Sequence, residues 1–173
     1  MRKPFKLVFL ALILMLALGA CSSPSVKKES AEAVKEARTI LAEQPRKPNQ
    51  NSGGMEFYLP FGFKIVSKSP NNLILKKGSK TYILFVNPKE KALSDVMYKA
   101  SGAQYKKLAA NEKFTSQNKL GYVLIAPIKD DLNELTVGIG GSKLTTETNN
   151  ANLKEEARTM MRIIHSLKVT GQK

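Results

Sequence analysis

The sequence has little of what catalytic and metal sites are usually built from. It contains one cysteine, one histidine and no tryptophan, and only 14 of its 173 residues are acidic. Metal sites gather several Cys, His, Asp or Glu side chains, and His165 has no evident partner in the sequence for acid–base or nucleophilic catalysis. We therefore expect no metal, no cofactor and no enzymatic activity. We interpret His165 as a half-buried structural or an exposed residue at the edge of the last helix.

Two short stretches contain residue types that are found in ligand-binding loops. The stretch "DDLNE" (130–134) lacks the spacing of a calcium loop, and Asp and Asn are favoured in hairpin turns. The stretch "VGIGGSK" (137–143) lacks the residue order of a phosphate-binding loop, and no helix follows it directly. We interpret the first as a hairpin turn. We interpret the second as strand glycines at a bulge or at a close approach by the last helix.

The N-terminus has the pattern of a secretory signal. The basic segment "MRKPFK" is followed by an uninterrupted apolar run at residues 7–18, as in the charged and apolar regions of a signal peptide. As a helix the run is only about 18 Å long, whereas the hydrocarbon core of a bilayer is about 30 Å thick. The segment is therefore expected to target the chain rather than to span a membrane.

The only cysteine follows this run directly. The order Leu18-Gly19-Ala20-Cys21 resembles the lipobox of bacterial lipoproteins, in which residues 1–20 are removed and the cysteine sulfur carries a diacylglyceryl group. The alternative is an ordinary signal peptide with a chance cysteine. Acyl chains on one residue hold a protein on a membrane without a spanning helix. We expect a lipid-anchored protein on the extracytoplasmic face of the cell membrane, with palmitate-type acylation, and favour a single-membrane envelope.

The chain is strongly basic, which favours anionic neighbours. Loss of residues 1–20 leaves 25 basic residues against 14 acidic ones, a formal charge of +11, and such a field attracts acidic headgroups or polymers. The candidate contacts for an anionic surface are Lys64, Lys68, Lys76, Lys77 and Lys80. Most of the lysines are also explained as a solvated face that discourages pairing of edge strands. No nucleic-acid-binding motif accompanies them, so no nucleic-acid partner is expected.

The mature chain divides into a tether and a domain. Residues 26–44 place small and aliphatic side chains on one side of a helical wheel, which predicts an amphipathic helix. The segment 45–54 is polar and rich in Pro and then Gly, as linkers are. We therefore expect a lipidated tether at residues 21–54 and a folded domain at 55–173. The helix has three alternative docking surfaces: that domain, a partner helix or the lipid surface.

Beyond residue 55 the hydrophobic period changes from 3.6 to 2. Alternation predicts strands near 63–69, 73–77 and 80–86, and then at 112–117, 120–128 and 134–146. A short helix is expected to end near Gly102, and the clearest helix of the chain lies in "NLKEEARTMMRIIHSLKV". This order predicts an α+β fold, with an antiparallel sheet of about six strands and helices packed on one face.

The segment "FYLPFGFKIV", the order of strands and helices, and the last helix ending in "MMRIIHSLKV" resemble the PsbP/DcrB-like group of α+β domains over residues 55–168. The resemblance implies an accessory or binding subunit, and it carries no catalytic residue set. The expected function is a non-catalytic, membrane-anchored module for an envelope or membrane protein. The alternatives are binding of an anionic envelope polymer or lipid headgroups through a lysine-rich face and, third, an envelope-acting enzyme.

Overall fold

The computed structural model describes residues 25–169, so the lipobox-like segment at 18–21 lies outside the described residues. The helices are α1 (Val26–Ala42), α2 (Val96–Gly102) and α3 (Leu153–His165), with a 3₁₀ turn at Asn150–Asn152 before α3. The strands are β1 (Gln50–Ser52), β2 (Met55–Phe57), β3 (Phe63–Ser69), β4 (Asn72–Lys77), β5 (Lys80–Val86), β6 (Ala110–Ser116), β7 (Lys119–Lys129), β8 (Leu132–Ile139), β9 (Ser142–Asn149) and β10 (Lys168–Val169).

The strands form two antiparallel sheets. The main sheet has seven strands in the order β3-β4-β5-β9-β8-β7-β6, and a small sheet has the order β1-β2-β10. The expected α+β class is confirmed. The expected number of about six strands is too low, partly because the stretch 134–146 is a hairpin rather than one strand. Gly140 has a φ of +52° at the turn between β8 and β9, a conformation that glycine adopts without steric cost.

One face of the main sheet carries the core. Helix α1 packs on β6 and β7, and α3 packs on β8 and β9. The small sheet completes this layer, because Met55 and Phe57 of β2 share the core with Leu73 and Leu75 of β4. All four of these side chains are at most 2% exposed. The layer is therefore continuous over the described part of the chain, from α1 to the small sheet.

Helix α1 is part of this core rather than a separate tether. Its buried stripe includes Ala33, Ala37 and Leu41, each fully buried. Glu36 accepts an ion-paired hydrogen bond from Arg158 Nε of α3 at 2.5 Å. Small alanine side chains let the two helices approach closely, and of the three docking alternatives the helix takes the one within its own chain. The tether and domain therefore share one core, although the composition of the intervening segment resembles that of a linker.

The expected linker at 45–54 contains strand β1. Its residues pair with β2 in antiparallel register, and Gln50 lies opposite Phe57. Asn49 fixes the segment further, because its side chain donates to the backbone oxygen of Leu59 at 3.0 Å and accepts from the Leu59 N–H at 2.8 Å. A Pro- and Gly-rich composition predicted irregular backbone here, but these hydrogen bonds tie the segment to the domain.

The second face of the main sheet is covered only in part. Helix α2 and its flanking loops pack over β6, β7 and β8, with the rings of Tyr98 and Tyr122 5.7 Å apart. Lys143 Nζ of β9 donates to Ser101 Oγ of α2 at 3.2 Å. The expectation that the helices share one face is therefore wrong, because α2 lies opposite α1 and α3. A hydrophobic period shows which side of a helix is buried, but not which face of a sheet buries it.

Candidate binding surface on the open half of the sheet

The candidate site is the part of the second sheet face that α2 leaves uncovered. In β5, Tyr82 and Leu84 are buried in the core, so the residues beside and between them face the other way. Cross-strand pairing then aligns Ile74 of β4 with Ile83 of β5, and Ile83 with Thr145 of β9. The same face thus continues from the covered strands onto β5, β4 and β3.

Two halves of this face can be defined from the strand registers. The covered half comprises Tyr122, Leu124, Ala126, Thr136 and Gly138. The open half comprises Lys64, Ile74, Lys76, Thr81, Ile83, Phe85, Thr145 and Glu147. Every member of the covered half is buried, whereas every member of the open half is exposed or of intermediate burial. The two halves therefore belong to one pleated surface with different surroundings.

The open half combines apolar and polar groups. Ile83 is 49% exposed, and Ile74 and Phe85 are partly exposed beside it. A groove of about 430 Å³, with Thr81, Ile83 and Thr145 in its wall, runs between β5 and β8. Aliphatic and aromatic groups ringed by hydroxyl and charged groups are the composition of many protein-binding surfaces. The open half is therefore a candidate docking surface.

Glu134 marks the boundary between the two halves. The hydroxyl of Tyr105, in the loop after α2, donates a hydrogen bond to Glu134 Oε1. Burial, reinforced by the Glu134 carboxylate, raises the pKa of Tyr105 to about 12. The phenol therefore stays protonated at neutral pH and holds the carboxylate in place. This contact fixes the margin of the covering segment and one wall of the groove.

The five candidate lysines do not form one surface. Lys64 and Lys76 lie opposite each other on the open half, and both are exposed. Lys68 pairs with the core residue Leu73 and so belongs to the other face. Lys77 places its ammonium 5.5 Å from the centre of the Phe63 ring. Lys80 forms an ion pair with Glu156. The first strands therefore split these charges between both faces of the sheet.

The fifth lysine, Lys80, is used within the fold. Its Nζ lies 2.5 Å from Glu156 Oε1 of α3 and donates to Thr148 Oγ1 at 2.9 Å. The second carboxylate oxygen of Glu156 accepts from the Tyr82 hydroxyl at 2.9 Å. Burial raises the pKa of Tyr82, and the Glu156 carboxylate adds to the effect. Lys80 therefore ties β5 to α3 and is not available to an external anion in the way that Lys64 and Lys76 are.

The acidic stretch 130–134 and the glycine-rich stretch 137–143 lie in strands and in the turns that connect them. Asp130 and Asp131 form the turn between β7 and β8, as expected, whereas residues 132–134 of the same stretch already belong to β8. The stretch 137–143 runs from strand to turn to strand, without the helix that a phosphate-binding loop requires. Gly138 lies where a Cβ atom would come within 2.1 Å of Tyr122 Cζ. The close approach at Gly138 is thus made by a side chain of β7, and at Gly140 and Gly141 by the segment 87–92, rather than by the last helix.

A smaller cavity of about 190 Å³ lies at the opposite end of the sheet, and Lys119 and His165 contribute to its wall. His165 is only 3% exposed, so it is more buried than expected. Its Nε2 has no hydrogen-bond partner among the described residues. Burial, followed by the Lys119 ammonium, lowers the pKa of His165. The imidazole is therefore neutral at pH 7, with no second group placed to share a proton with Nε2.

Metal-binding clusters and membrane-spanning helices are both absent from residues 25–169. No group of three or more His, Cys, Asp or Glu side chains in this range is arranged to hold a metal ion. None of the helices in the same range combines the length and the apolar character needed to cross a bilayer.

No protein-family model and no curated protein matches this sequence. The resemblance to the PsbP/DcrB-like group therefore stays a prediction, and any function has to be argued from the residues of this chain.

Two surface features were not singled out from the sequence. The first is the open half itself, although β4 and β5 carry an early signal. Ile74, Ile83 and Phe85 are apolar at positions where a half-solvated strand would alternate to polar residues. The second is Phe61, whose side chain is 102% exposed. Only the fold places it at the tip of a turn.

Proposed function

We propose that this protein is a non-catalytic, lipid-anchored module that binds an envelope or membrane protein through the open half of its main sheet. The observation that carries the proposal is the uncovered, partly apolar surface around Ile83. Apolar surface removed from water contributes about 25 cal/mol per Å², so a partner that covers this surface gains free energy that the isolated domain leaves unused.

The rigid setting of the open half supports this role. The strands that carry Ile74, Ile83 and Thr145 have a fully buried core on their other side, so the backbone under the surface is fixed before a partner arrives. A surface that needs no ordering loses less conformational entropy on binding. The burial of His165 is in keeping with a non-catalytic module, because its Nε2 is enclosed.

The proposed anchor is the diacylglyceryl group on Cys21. Helix α1 begins at Val26, so four residues separate the proposed lipid-carrying Cys21 from the first helical turn of the domain. Together with α1 packing into the core, this spacing supports a domain that is held close to the membrane. Substitution of Cys21→Ser is expected to release the protein from membranes without unfolding the domain.

The test is recovery of a partner from membranes that carry the full-length protein. Wild type, Ile83→Asp and Leu93→Asp are extracted in mild detergent, purified at high salt and compared for stoichiometric partners. Leu93 is 47% exposed, close to the 49% of Ile83, but lies outside the open half. We expect Ile83→Asp to lose a partner that wild type and Leu93→Asp retain. Equal retention by both variants, with unchanged melting temperatures, would reject the open half as the binding surface.

The Lys64–Lys76 pair supports a second candidate, binding of an anionic envelope polymer or of headgroups. Like charges directly opposite each other on neighbouring strands are unfavourable, and neither ammonium forms an ion pair within the described part of the chain. Such binding would weaken steeply with salt. A partner that survives high salt supports the protein-binding proposal, whereas recovery of only polyanionic material at low salt supports this one.

A further inference from the structure

Phe61 occupies the tip of a turn with defined geometry. The N–H of Phe63 donates to the Pro60 oxygen at 3.2 Å, and Gly62 has a φ of +86°. A positive φ at the third position is typical of a type II turn, which favours glycine there. The turn therefore fixes the backbone position of Phe61, and at 102% exposure its ring is packed against nothing among residues 25–169.

Three lysines lie beside this turn. Lys64 follows it in β3 and pairs with Lys76, and Phe63 pairs with Lys77 at the end of β4. Lys64 and Lys76 have no carboxylate partner among residues 25–169, and Lys77 rests over the Phe63 ring. An aromatic tip with adjacent cations is suited to an acidic bilayer surface, where aromatic rings favour the interface and lysines favour anionic headgroups.

The turn lies at a definable end of the main sheet, where β3, β5 and β8 begin. Phe63 pairs with Lys77, which pairs with Lys80. Lys80 Nζ contacts Thr148, and Thr148 pairs with Asn133, the second residue of β8. These contacts connect the Phe61 turn across the sheet to the turn between β7 and β8. We call the end of the main sheet that carries the Phe61 turn and the β7–β8 turn the anchor end of the domain.

Helix α1 begins at the same end. The N–H of Asn150 donates to Asp131 Oδ1 at 3.0 Å, next to the start of β8. Glu32 of α1 lies 3.7 Å from Lys154, just after Asn150 in the chain. Because α1 and α3 run in parallel, the residues before Glu32 extend further in the direction of the anchor end, by about 1.5 Å per residue.

The distance from Cys21 to the described chain is short. Ser25 lies four positions after Cys21, and four residue steps span at most about 14 Å. A lipid on Cys21 therefore brings the anchor end to the bilayer. Six strand spacings separate β6 from β3, or about 29 Å, so the Phe61 turn reaches the surface on the far side of the same end.

We propose that the Phe61 turn is a second membrane contact, in which the ring enters the interface of an acidic phospholipid bilayer and Lys64, Lys76 and Lys77 contact the headgroups. This inference rests on the proposed lipid anchor at Cys21. With two contact points the domain stands on its anchor end and cannot rotate freely about the tether. The open half is then held roughly perpendicular to the bilayer surface and faces neighbouring proteins of the same membrane.

The absence of tryptophan from the chain allows a direct test. Phe61→Trp and Leu93→Trp each introduce a single reporter into the full-length lipidated protein. Leu93 is the matched control, because the neighbouring Ala92 oxygen accepts from the Leu120 N–H at the opposite end of the sheet, where β7 begins. Both variants are reconstituted into vesicles of phosphatidylglycerol and phosphatidylcholine, with and without brominated acyl chains, and are separated by flotation.

We expect the emission of Trp at position 61 to be blue-shifted and quenched by brominated lipid, whereas emission from position 93 stays solvent-like. Vesicles of phosphatidylcholine alone, or the pair Lys64→Glu and Lys76→Glu, should reduce the quenching at position 61. Flotation with solvent-like emission from both positions would overturn the inference and leave the anchor intact. Equal quenching at both positions would also overturn it. Protein that fails to float would overturn the proposed anchor and this inference with it.

Discussion

The two halves of the second sheet face have similar side chains and opposite environments. Tyr122 and Leu124 of the covered half are fully buried, whereas Ile83 of the open half is 49% exposed. All three face the same way on one sheet, although β9 and β8 lie between β5, which carries Ile83, and β7, which carries the other two. The difference comes from residues 87–109, which place α2 and its loops over β6, β7 and β8, contact Lys143 of β9 and leave Ile83 of β5 uncovered. Apolar residues are thus core in one half and surface in the other because of a segment that lies outside the strands.

This difference separates stability from function. Side chains in the covered half are enclosed by the protein itself, so their removal should lower the free energy of unfolding. Side chains in the open half stay exposed on folding and contribute little to the free energy of unfolding. Their removal should therefore leave the fold intact and affect binding instead. Substitutions in the two halves should therefore differ in their effect on stability.

Tyr122→Ala should have the largest effect. The ring is fully buried and packs against Tyr98, and its hydroxyl donates to the Ser142 oxygen at 3.3 Å. Truncation leaves a cavity under α2, and large-to-small aromatic substitutions in a core typically cost about 3–5 kcal/mol. Urea denaturation measures the loss. A cost below about 0.5 kcal/mol, the range of ordinary surface substitutions, would mean that α2 does not enclose this half.

Gly138→Ala should have the next largest effect. A Cβ atom at this position would lie 2.1 Å from Tyr122 Cζ, so the ring must shift, and overpacking of this kind costs about 1–3 kcal/mol. The double variant Gly138→Ala with Tyr122→Leu should lose less stability than the sum of the single variants, because the clash is removed. Additive losses in denaturant titrations of the four proteins would contradict this cause.

Tyr105→Phe should have a smaller effect at neutral pH and a distinct effect in alkali. Loss of the hydrogen bond to Glu134 should cost about 0.5–1.5 kcal/mol. Since the folded pKa of about 12 lies above the ordinary value of 10, the tyrosine stabilises the fold fully below pH 10. That stabilisation is lost as the pH rises towards and through 12.

Melting temperatures of wild type and Tyr105→Phe between pH 8 and 12 test this point. The difference between the two proteins should shrink above pH 10. If the wild type retains its full advantage at pH 12, the contact between Tyr105 and Glu134 does not fix the boundary of the covered half.

Ile83→Asp should have the smallest effect on stability. The side chain is half exposed and faces away from the core, and substitutions at such sites usually change stability by less than about 0.5 kcal/mol. The thermal unfolding transition should therefore stay close to that of wild type while partner recovery falls. A loss of several kcal/mol would place Ile83 in the core and remove the distinction between the halves.

Much of the local structure could be predicted from the sequence. Alternation located β3, β4 and β5, and the 3.6-residue period located α1 and α3, because these patterns report which side chains share a face. The turn at Gly140 was missed, since glycine in an apolar run also fits a bulge. The cover provided by residues 87–109 could not be predicted, because it depends on contacts between segments that are distant in sequence.

The candidate site was less predictable than the fold. Five lysines were grouped by their closeness in sequence, but strand alternation sends Lys68 and Lys76 to opposite faces. Lys80 is neutralised by Glu156, a residue 76 positions away. Phe61 is apolar and adjacent to core residues, and only the turn geometry places it in solvent. Lipidation of Cys21 depends on recognition of the sequence by processing enzymes and stays a prediction.

The most direct test of the binding-module account is site-specific photocross-linking in intact cells. A photoreactive phenylalanine analogue is placed at position 83, or at position 93 as the matched control, in the full-length protein with Cys21 intact. The account predicts one discrete protein adduct from position 83, resistant to high-salt washing and absent from position 93. The same adducts from both positions, or none from position 83 in a correctly localised protein, would contradict the claim that the open half binds a dedicated protein partner.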